Sequence, residues 1–350
     1  MLNPAITDLP DRVRDRDILR DHQGRIFITL GHIQPTDRIL SFLKYVPHKD
    51  GRWQADEIRY KRFFWGSVDS TVEGMPLLPQ DYVVFDTHFQ TELVEPPRIA
   101  IKEYFSPEKR LKEILAKPKD EMEELVQRAA NTLHDELKIP FENLGIAGSI
   151  LWKGHNPEYS DINMNIYGFK ESWTLQNNYS NLESKESQTR LRDLVEWNRA
   201  IDRVRSRITV LDMSELQALF ARRNALCVSD RCIGITPILR PKEVPIEHGS
   251  ESYTTLINVP VKLTTCVENA DYGIFHPAIY NIDPTTIEGV QVSRIMIYDG
   301  AFCGLLQKDD QIEVSGTLQR VNSTETGRDF HQLMVGTKAG SGKEYIKIKS

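Results

Sequence analysis

Gly145-Ile-Ala-Gly148-Ser149-Ile-Leu-Trp-Lys-Gly154-His-Asn-Pro-Glu-Tyr-Ser160-Asp161-Ile-Asn163-Met-Asn-Ile-Tyr167-Gly168 is the stretch on which the reading of this chain turns. It begins with a short apolar run that ends in Gly148-Ser149. A strand stopping there, with a helix starting at Ile150, sets backbone N–H groups and the Ser149 hydroxyl at a helix N-terminus, a natural cradle for phosphate. A loop containing Gly154 returns the chain into a second strand. From Ser160 to Tyr167 residues alternate: Ile162, Met164 and Ile166 share one face, and Asp161, Asn163 and Asn165 the other. Asp161 and Asn163 then face the same cavity as the cradle. Two such side chains are half of a site for Mg²⁺ (or Mn²⁺) carrying a nucleoside triphosphate, because Mg²⁺ takes about one or two carboxylates and fills its shell with phosphate oxygens and water. Each piece has a plainer reading: Gly148-Ser149 as a capped turn, Asp161 as a loop carboxylate, the asparagines as polar residues of a half-exposed strand. Their spacing favours the cradle.

Working outward, PEKRLKEILAK (107–117) reads as a helix opened by Pro107 and stopped before Pro118. Met122, Leu125, Val126, Ala129, Ala130, Leu133 and Leu137 form one apolar stripe of a longer helix, which Pro140 bars from continuing. Downstream, 183–207 reads as an amphipathic helix burying Leu191, Leu194, Val195, Ile201 and Val204, with six arginines on a solvated face. A shorter helix is expected to start near Ser214 as its cap. RCIGITPILRP (231–241) reads as a strand.

The combination of Gly-Ser, a short helix with glycine, and Ser160-Asp161-x-Asn163 on a strand resembles the signature of the DNA polymerase beta-type nucleotidyltransferases. The resemblance covers about 25 residues directly, Gly145 to Gly168. It implies a nucleotidyltransferase-fold core that transfers a nucleoside monophosphate from a triphosphate to a hydroxyl on RNA, protein or a small molecule. It also implies nucleotide contacts from Gly148, Ser149, Lys153, Gly154 and Ser160, and metal and catalytic roles for Asp161 and the position of Asn163. Arg222 and Arg223 are further phosphate candidates, and His155 shares the loop with Lys153. Two departures matter. The family's second carboxylate falls at Asn163, whose neutral carbonyl oxygen is a poorer Mg²⁺ ligand. The third belongs near 231–240, where no acid occurs; Asp230, Glu243 and Glu247 flank that strand. The alternative is therefore a catalytically inactive module that binds nucleotide or RNA.

The whole chain also resembles a group of uncharacterised archaeal proteins that carry a nucleotidyltransferase domain. The similarity lies in Asp15-Arg-Asp17 through Pro47 and in Tyr298-Asp-Gly300-Ala-Phe302-Cys303-Gly304.

On either side of the core the pattern is β-rich. RIFITLGHI (25–33) and YVVFDTHFQTELV (82–94) read as strands, and RILSFLKYVP (38–47) as helix or strand. Beyond residue 256, five or six short strands suggest a small barrel of the oligonucleotide/oligosaccharide-binding kind. Tyr298, Phe302, Phe330 and Tyr345 are its core aromatics or a stacking surface for single-stranded nucleic acid. The expected class is α+β, with domains at 1–105, 106–250 and 251–350.

A chain of 350 residues with net charge −6 and pI near 5.9 argues against tight non-specific duplex binding. No apolar run approaches the roughly 20 residues that span a bilayer, and the opening run is charged, so a cytoplasmic protein without membrane partners is expected. Cys227, Cys232, Cys266 and Cys303 are expected to be reduced structural thiols rather than a zinc site. Gly340-Ser-Gly-Lys343 is a false P-loop: Thr337 stands where glycine is needed and Glu344 where Ser/Thr would hold Mg²⁺. It reads as a hairpin turn.

Overall fold

Strand-forming runs at both ends of the chain and helix-forming runs in the middle give a mixed α+β architecture, seen here in a computed structural model that describes residues 9–63, 74–185 and 187–349. Part of the charged N-terminal run and one position of the expected 183–207 helix lie outside those residues.

The first sheet comprises β1 (Ile18–Asp21), β2 (Ile26–Thr29), β3 (Ser41–Pro47), β4 (Trp53–Ala55) and β5 (Ile58–Arg62). A two-stranded hairpin of β6 (Val83–Asp86) and β7 (Thr91–Val94) follows, and β8 (Ile101–Phe105) returns to pair with β1. The ambiguous segment RILSFLKYV resolves as strand β3. Phe42 and Tyr45 enter one core, while Leu43 enters another on the opposite face. A strand buried on both sides loses the two-residue alternation that would have identified it.

Two helices connect this sheet to the second. α1 (Pro107–Ala116) is capped by Ser106, whose hydroxyl accepts from Lys109 N. α2 (Glu121–Leu137) is capped by Asp120 and ends on left-handed Lys138. The seven-residue stripe of α2 is buried as the periodicity predicts. Each larger apolar side chain in it contributes about 1.5–3 kcal/mol of burial. It packs under β9 (Leu144–Ala147) and β10 (Ile162–Tyr167), which are joined through a single helical turn, α3 (Gly148–Leu151). α4 (Phe169–Asn177) follows.

The expected 183–207 helix does not form. Thr189–Leu191 is a strand, β11, and the α-helix is confined to Asn198–Arg205, α5, entered through a 3-10 turn at Val195–Trp197. Leu194 and Val195 are exposed, while Ile201 and Val204 are buried. The reason is tertiary pairing: Arg190 sits opposite Cys227 on β12 (Leu226–Val228), so sheet extension overrides local helix preference. α6 (Met213–Phe220) is capped two residues earlier than expected, with Asp212 and Glu215 forming a reciprocal capping box; the Ser214 hydroxyl bonds Asp212 instead. β13 (Arg231–Ile238) completes a five-stranded mixed sheet, order β11-β12-β13-β10-β9, in which only β10 and β13 run parallel.

The third sheet contains β14 (Glu251–Thr255), β15 (Val261–Tyr272), β16 (Ala278–Ile287), β17 (Val290–Ile297), β18 (Gln311–Ser323), β19 (Asp329–Val335) and β20 (Tyr345–Ile348). Its pairings close a ring, β15-β16-β17-β19-β18 and back to β15, with β17 and β19 parallel. α5 and α6 share the core of this ring through Ile201, Val204, Leu216, Leu219 and Phe220. Gly340–Lys343 joins β19 to β20, which pair with β18 and not with each other, so the segment is a connection and not the expected hairpin turn. Glu344 fastens it by accepting from Gly336 N and Thr337 N. No helix among the described residues is long and apolar enough to cross a membrane.

Candidate functional site

The site has to be built from the floor of the second sheet. Asn163 on β10 lies opposite Ala147 at the end of β9 on one side and opposite Gly234 of β13 on the other. A Cβ on Gly148 would come 3.1 Å from Asn163 Nδ2, and one on Gly234 would come 2.9 Å from its Oδ1. Two glycines thus leave the room in which the Asn163 amide sits. Gly148 is also at φ +62°, where a side chain is strained. The helix expected from Ile150 is only the one turn of α3, and Ser149 is buried. Its first amides still lack intrahelical acceptors.

The turn is held from behind. Buried Arg110 of α1 donates through Nε to Ile150 O at 3.3 Å and pairs with buried Glu123 of α2. Lys153 and His155 point into the same scaffold and not toward the Asp161 side. Lys153 Nζ lies 3.4 Å from Glu113, and His155 Nε2 lies 2.8 Å from Asp120. Burial acts against these carboxylates, but the paired cations hold Glu113 below its usual range, and backbone donors with His155 do the same for Asp120. Asp120, Glu123 and His155 bring ligand atoms within 4.8 Å of one another, yet Asp120 caps α2 and Glu123 is taken by Arg110 and Lys119 N. Gly154 packs flat on Trp152, whose ring a Cβ would meet at 2.0 Å. Ser160 is buried and accepts from Asn156 N at 2.9 Å, closing the loop. Lys153, Gly154 and Ser160, expected as phosphate contacts, shape the loop through these interactions.

Asp161 is exposed at the mouth of β10. Around it stands a group of cations that the sequence pattern did not single out. Burial, then Arg62 and Arg16, push Lys44 of β3 down to about 7, with Asp161 opposing. Burial pushes Tyr45 up to about 12, Asp161 adding to the effect. Arg192, stacked 4.1 Å from the Trp197 ring, is lowered by burial and by Arg203, while Glu196 and Asp161 act the other way. The exposed carboxylate thus lies within electrostatic reach of Lys44 and Arg192, with Arg62 and Arg16 behind Lys44. Charges from four non-contiguous segments leave no local sequence signature.

The remaining candidates lie elsewhere. Arg222 forms a two-armed ion pair with Asp310 and donates to Leu305 O; Arg223 donates to Gly300 O at 3.1 Å and to Ala301 O. Both fasten α6 to the loop before β18, away from Asn163 and its flanking glycines in the contacts they make. Asp230 lies in the turn between β12 and β13. Glu243 accepts from Arg240 N and Phe169 N at the far end of β13, and Glu247 pairs with Arg12. None supplies a third acid: the position facing Asn163 is Gly234. A cavity of about 480 Å³ lined by Asp50, Arg52, Arg59, His155, Glu158 and Tyr159, among others, includes none of Gly148, Ser149, Asp161 or Asn163.

Cys227 and Cys232, expected as thiols, are joined in a disulfide across the β12–β13 pair, Cα–Cα 3.8 Å. The reason is register: they occupy directly opposed positions. Cys266 and Cys303 are free thiols.

The barrel aromatics are mostly core. Phe302 and Tyr345 are buried, and Phe330 is partly covered by Arg294, whose guanidinium lies 4.6 Å from its ring.

With this geometry in hand, the chain is similar to the uncharacterized protein MJ1086 of Methanocaldococcus jannaschii, 25% identical across 97% of this chain and 99% of that one. No family model matches the sequence, and no solved structure matches it.

Proposed function

We propose that the central region is a nucleotidyltransferase-like core that binds a nucleoside triphosphate with Mg²⁺ (or Mn²⁺) at Gly148, Ser149, Asp161 and Asn163. The observation that carries the reading is Asn163 held between Gly148 and Gly234, with Asp161 two residues away on the same strand face. One carboxylate and one amide oxygen suit a single Mg²⁺–triphosphate and not a two-metal centre, because Mg²⁺ accepts about one or two carboxylates when phosphate completes its shell. Bound there, the ion would neutralise charge on the triphosphate oxygens. The amides of α3 would hold phosphate, Asp161 and Asn163 would orient the metal-bearing end, and the Lys44–Arg62–Arg192 group would offset the remaining negative charge. The transfer consistent with this arrangement moves a nucleoside monophosphate to an acceptor hydroxyl by in-line attack, with pyrophosphate leaving.

A second reading keeps the binding and drops the chemistry. It is favoured by Gly234 standing where a third acid is required. Losing two carboxylates of three removes several kcal/mol of transition-state stabilisation on the usual scale. In either case the closed ring β15-β16-β17-β19-β18 has the strand order of an oligonucleotide/oligosaccharide-binding barrel, which supports RNA or single-stranded nucleic acid as a partner.

Calorimetric titration of the protein with each nucleoside triphosphate, with and without Mg²⁺ or Mn²⁺, tests the site. Metal-dependent binding that disappears in Asp161→Ala is expected; binding unaffected by that change sinks the assignment. Release of pyrophosphate by the wild type but not the variant separates transfer from binding alone.

A further inference from the structure

The nucleotide reading makes no use of Cys227, Cys232 or Glu196, although all three crowd one place on the same sheet. Cys227 is fully buried and Cys232 is half-buried. Their sulfurs and a carboxylate oxygen of Glu196 all lie within 4.8 Å of one another. We propose that the reduced Cys227–Cys232 pair, with Glu196, is a redox-gated site for a thiophilic divalent cation of the zinc class.

Zinc binds cysteine sulfur at about 2.3 Å and carboxylate oxygen at about 2.0–2.2 Å. Ligand atoms around a tetrahedral ion are therefore separated by roughly 3.3–3.8 Å; after reduction the two sulfurs part to that separation, while the Glu196 oxygen already lies within 4.8 Å of both. Three protein ligands leave the fourth position open to water or another ligand. Glu196 is already aimed. Arg190 grips it with two hydrogen bonds, at 2.7 and 2.8 Å, and Asp193 N donates to Oε2 at 3.0 Å. Among the described residues Oε1 accepts from Arg190 Nη2 alone, so a lone pair remains there for a cation. Arg190, which holds Glu196, is also the register partner of Cys227, so the carboxylate and the sulfurs are anchored to the same strand pair. Thiolate donors select zinc-class ions over Mg²⁺, which keeps this site chemically separate from Asp161 and Asn163.

The disulfide is what makes the site conditional. While the sulfurs are bonded to each other, neither is a thiolate. Reduction by a cellular dithiol breaks the Cys227–Cys232 bond and closes a disulfide in the reductant, transferring two electrons and two protons. Metal binding then releases the two thiol protons to solvent. The placement couples this event to the neighbouring face. Cys232 and Asp161 each precede by one residue the first register pair of β13 and β10, Ile233 with Ile162. Gly234, two residues after Cys232, directs its Cβ position at Asn163, so Cys232 projects from the face that carries the candidate nucleotide site.

The test uses the full chain, either oxidised or reduced with a water-soluble phosphine, which becomes phosphine oxide by taking up the oxygen of water as the disulfide opens. Each form is titrated with Co²⁺ and Zn²⁺. One Co²⁺ per reduced chain, with a thiolate-to-cobalt absorption band displaced by Zn²⁺, and no uptake by the oxidised chain, is the expected result. Cys232→Ser should abolish the band, and Glu196→Gln, which replaces a charged ligand oxygen by a neutral one, should weaken binding by about tenfold or more. Should Cys232→Ser not fold, alkylation of the reduced wild type supplies the same answer: one equivalent of Zn²⁺ should slow modification of both thiols. Reduced protein that takes up no stoichiometric cation, or thiols that alkylate equally fast with and without Zn²⁺, overturns the proposal.

Discussion

Two asparagines on one strand face, a single residue apart, are used in opposite ways. Asn163 is half-buried at the open end of β10, with glycines on both sides and its amide oxygen turned toward Gly234. Asn165 is fully buried and donates to the Tyr167 hydroxyl at 3.1 Å. Below it Arg14 lies 4.1 Å over the Tyr167 ring and reaches Asp17, Tyr104 and Glu108. The mouth has been emptied of side chains around polar groups; the seam beneath has been filled with polar groups that bond one another through Arg14, Asp17, Tyr104 and Glu108. Strongly perturbed titrating groups occur in both places, Asp17 in the seam and Lys44 beside the mouth, so shifted pKa values alone do not separate them. Space and exposure are what single out the mouth.

The sharpest way to break this contrast is to open the seam. Burial pushes the Asp17 carboxyl up to about 6, with Arg14 working against it. Arg14→Ala removes the cation from a fully buried acid and strips one partner from Glu108. A loss of about 3–5 kcal/mol in chemical denaturation is expected, the usual cost of orphaning a buried charge. An effect under about 1 kcal/mol would mean that the seam is as open as the mouth.

A second buried group, His32 beside Asp15 and His276, is acid-labile. His32 is buried with neither ring nitrogen hydrogen-bonded, and burial holds it down to about 3. Because the folded pKa lies below the ordinary 6.5, the unfolded chain takes up the proton first. Stability is therefore full above about 6.5 and is lost as pH falls toward 3, at up to about 1.4 kcal/mol per unit. Denaturation midpoints at pH 7 and 4.5 should diverge for the wild type, and His32→Phe should narrow that divergence. No change in slope would place the acid sensitivity elsewhere.

At the mouth the effect is smaller and of opposite sign. Asn163→Asp restores an acid at the second carboxylate position, in a space that already holds an isosteric amide. Metal-dependent nucleotide affinity should rise about tenfold, roughly 1.4 kcal/mol, through the added carboxylate ligand. Calorimetry with and without Mg²⁺ checks it. A gain without metal, or a loss with it, would show that Asn163 does not face the cation.

These contrasts also mark what a linear reading can and cannot find. Gly148, Asp161 and Asn163 come from one contiguous stretch, where alternation fixes which residues share a face. The stripe of α2 was equally plain, because seven apolar residues repeat at the helical period. The 183–207 helix failed because strand β11 exists only by virtue of β12, a neighbour some 35 residues away that local periodicity does not sense. Lys44, Arg62 and Arg192 escaped notice for a related reason. Each is an ordinary charge in its own segment and gains significance only where three segments meet around Asp161. The disulfide was missed because pairing of Cys227 with Cys232 follows from register and not from spacing.

Arg222 and Arg223 give the finest test, since sequence proximity placed them among phosphate ligands and the fold places them at the barrel. Arg222 meets Asp310 as a two-armed pair whose side chains are 27% and 13% exposed. A partly exposed pair of this kind is worth about 0–1 kcal/mol once screening and side-chain ordering are counted. Arg222→Ala should lower thermal stability slightly and leave triphosphate binding unchanged within error, whereas Asp161→Ala should abolish binding at unchanged stability. If the arginine variant also loses nucleotide, α6 must approach the mouth in the liganded protein. The separation between barrel anchor and nucleotide site would then be a property of the unliganded state alone.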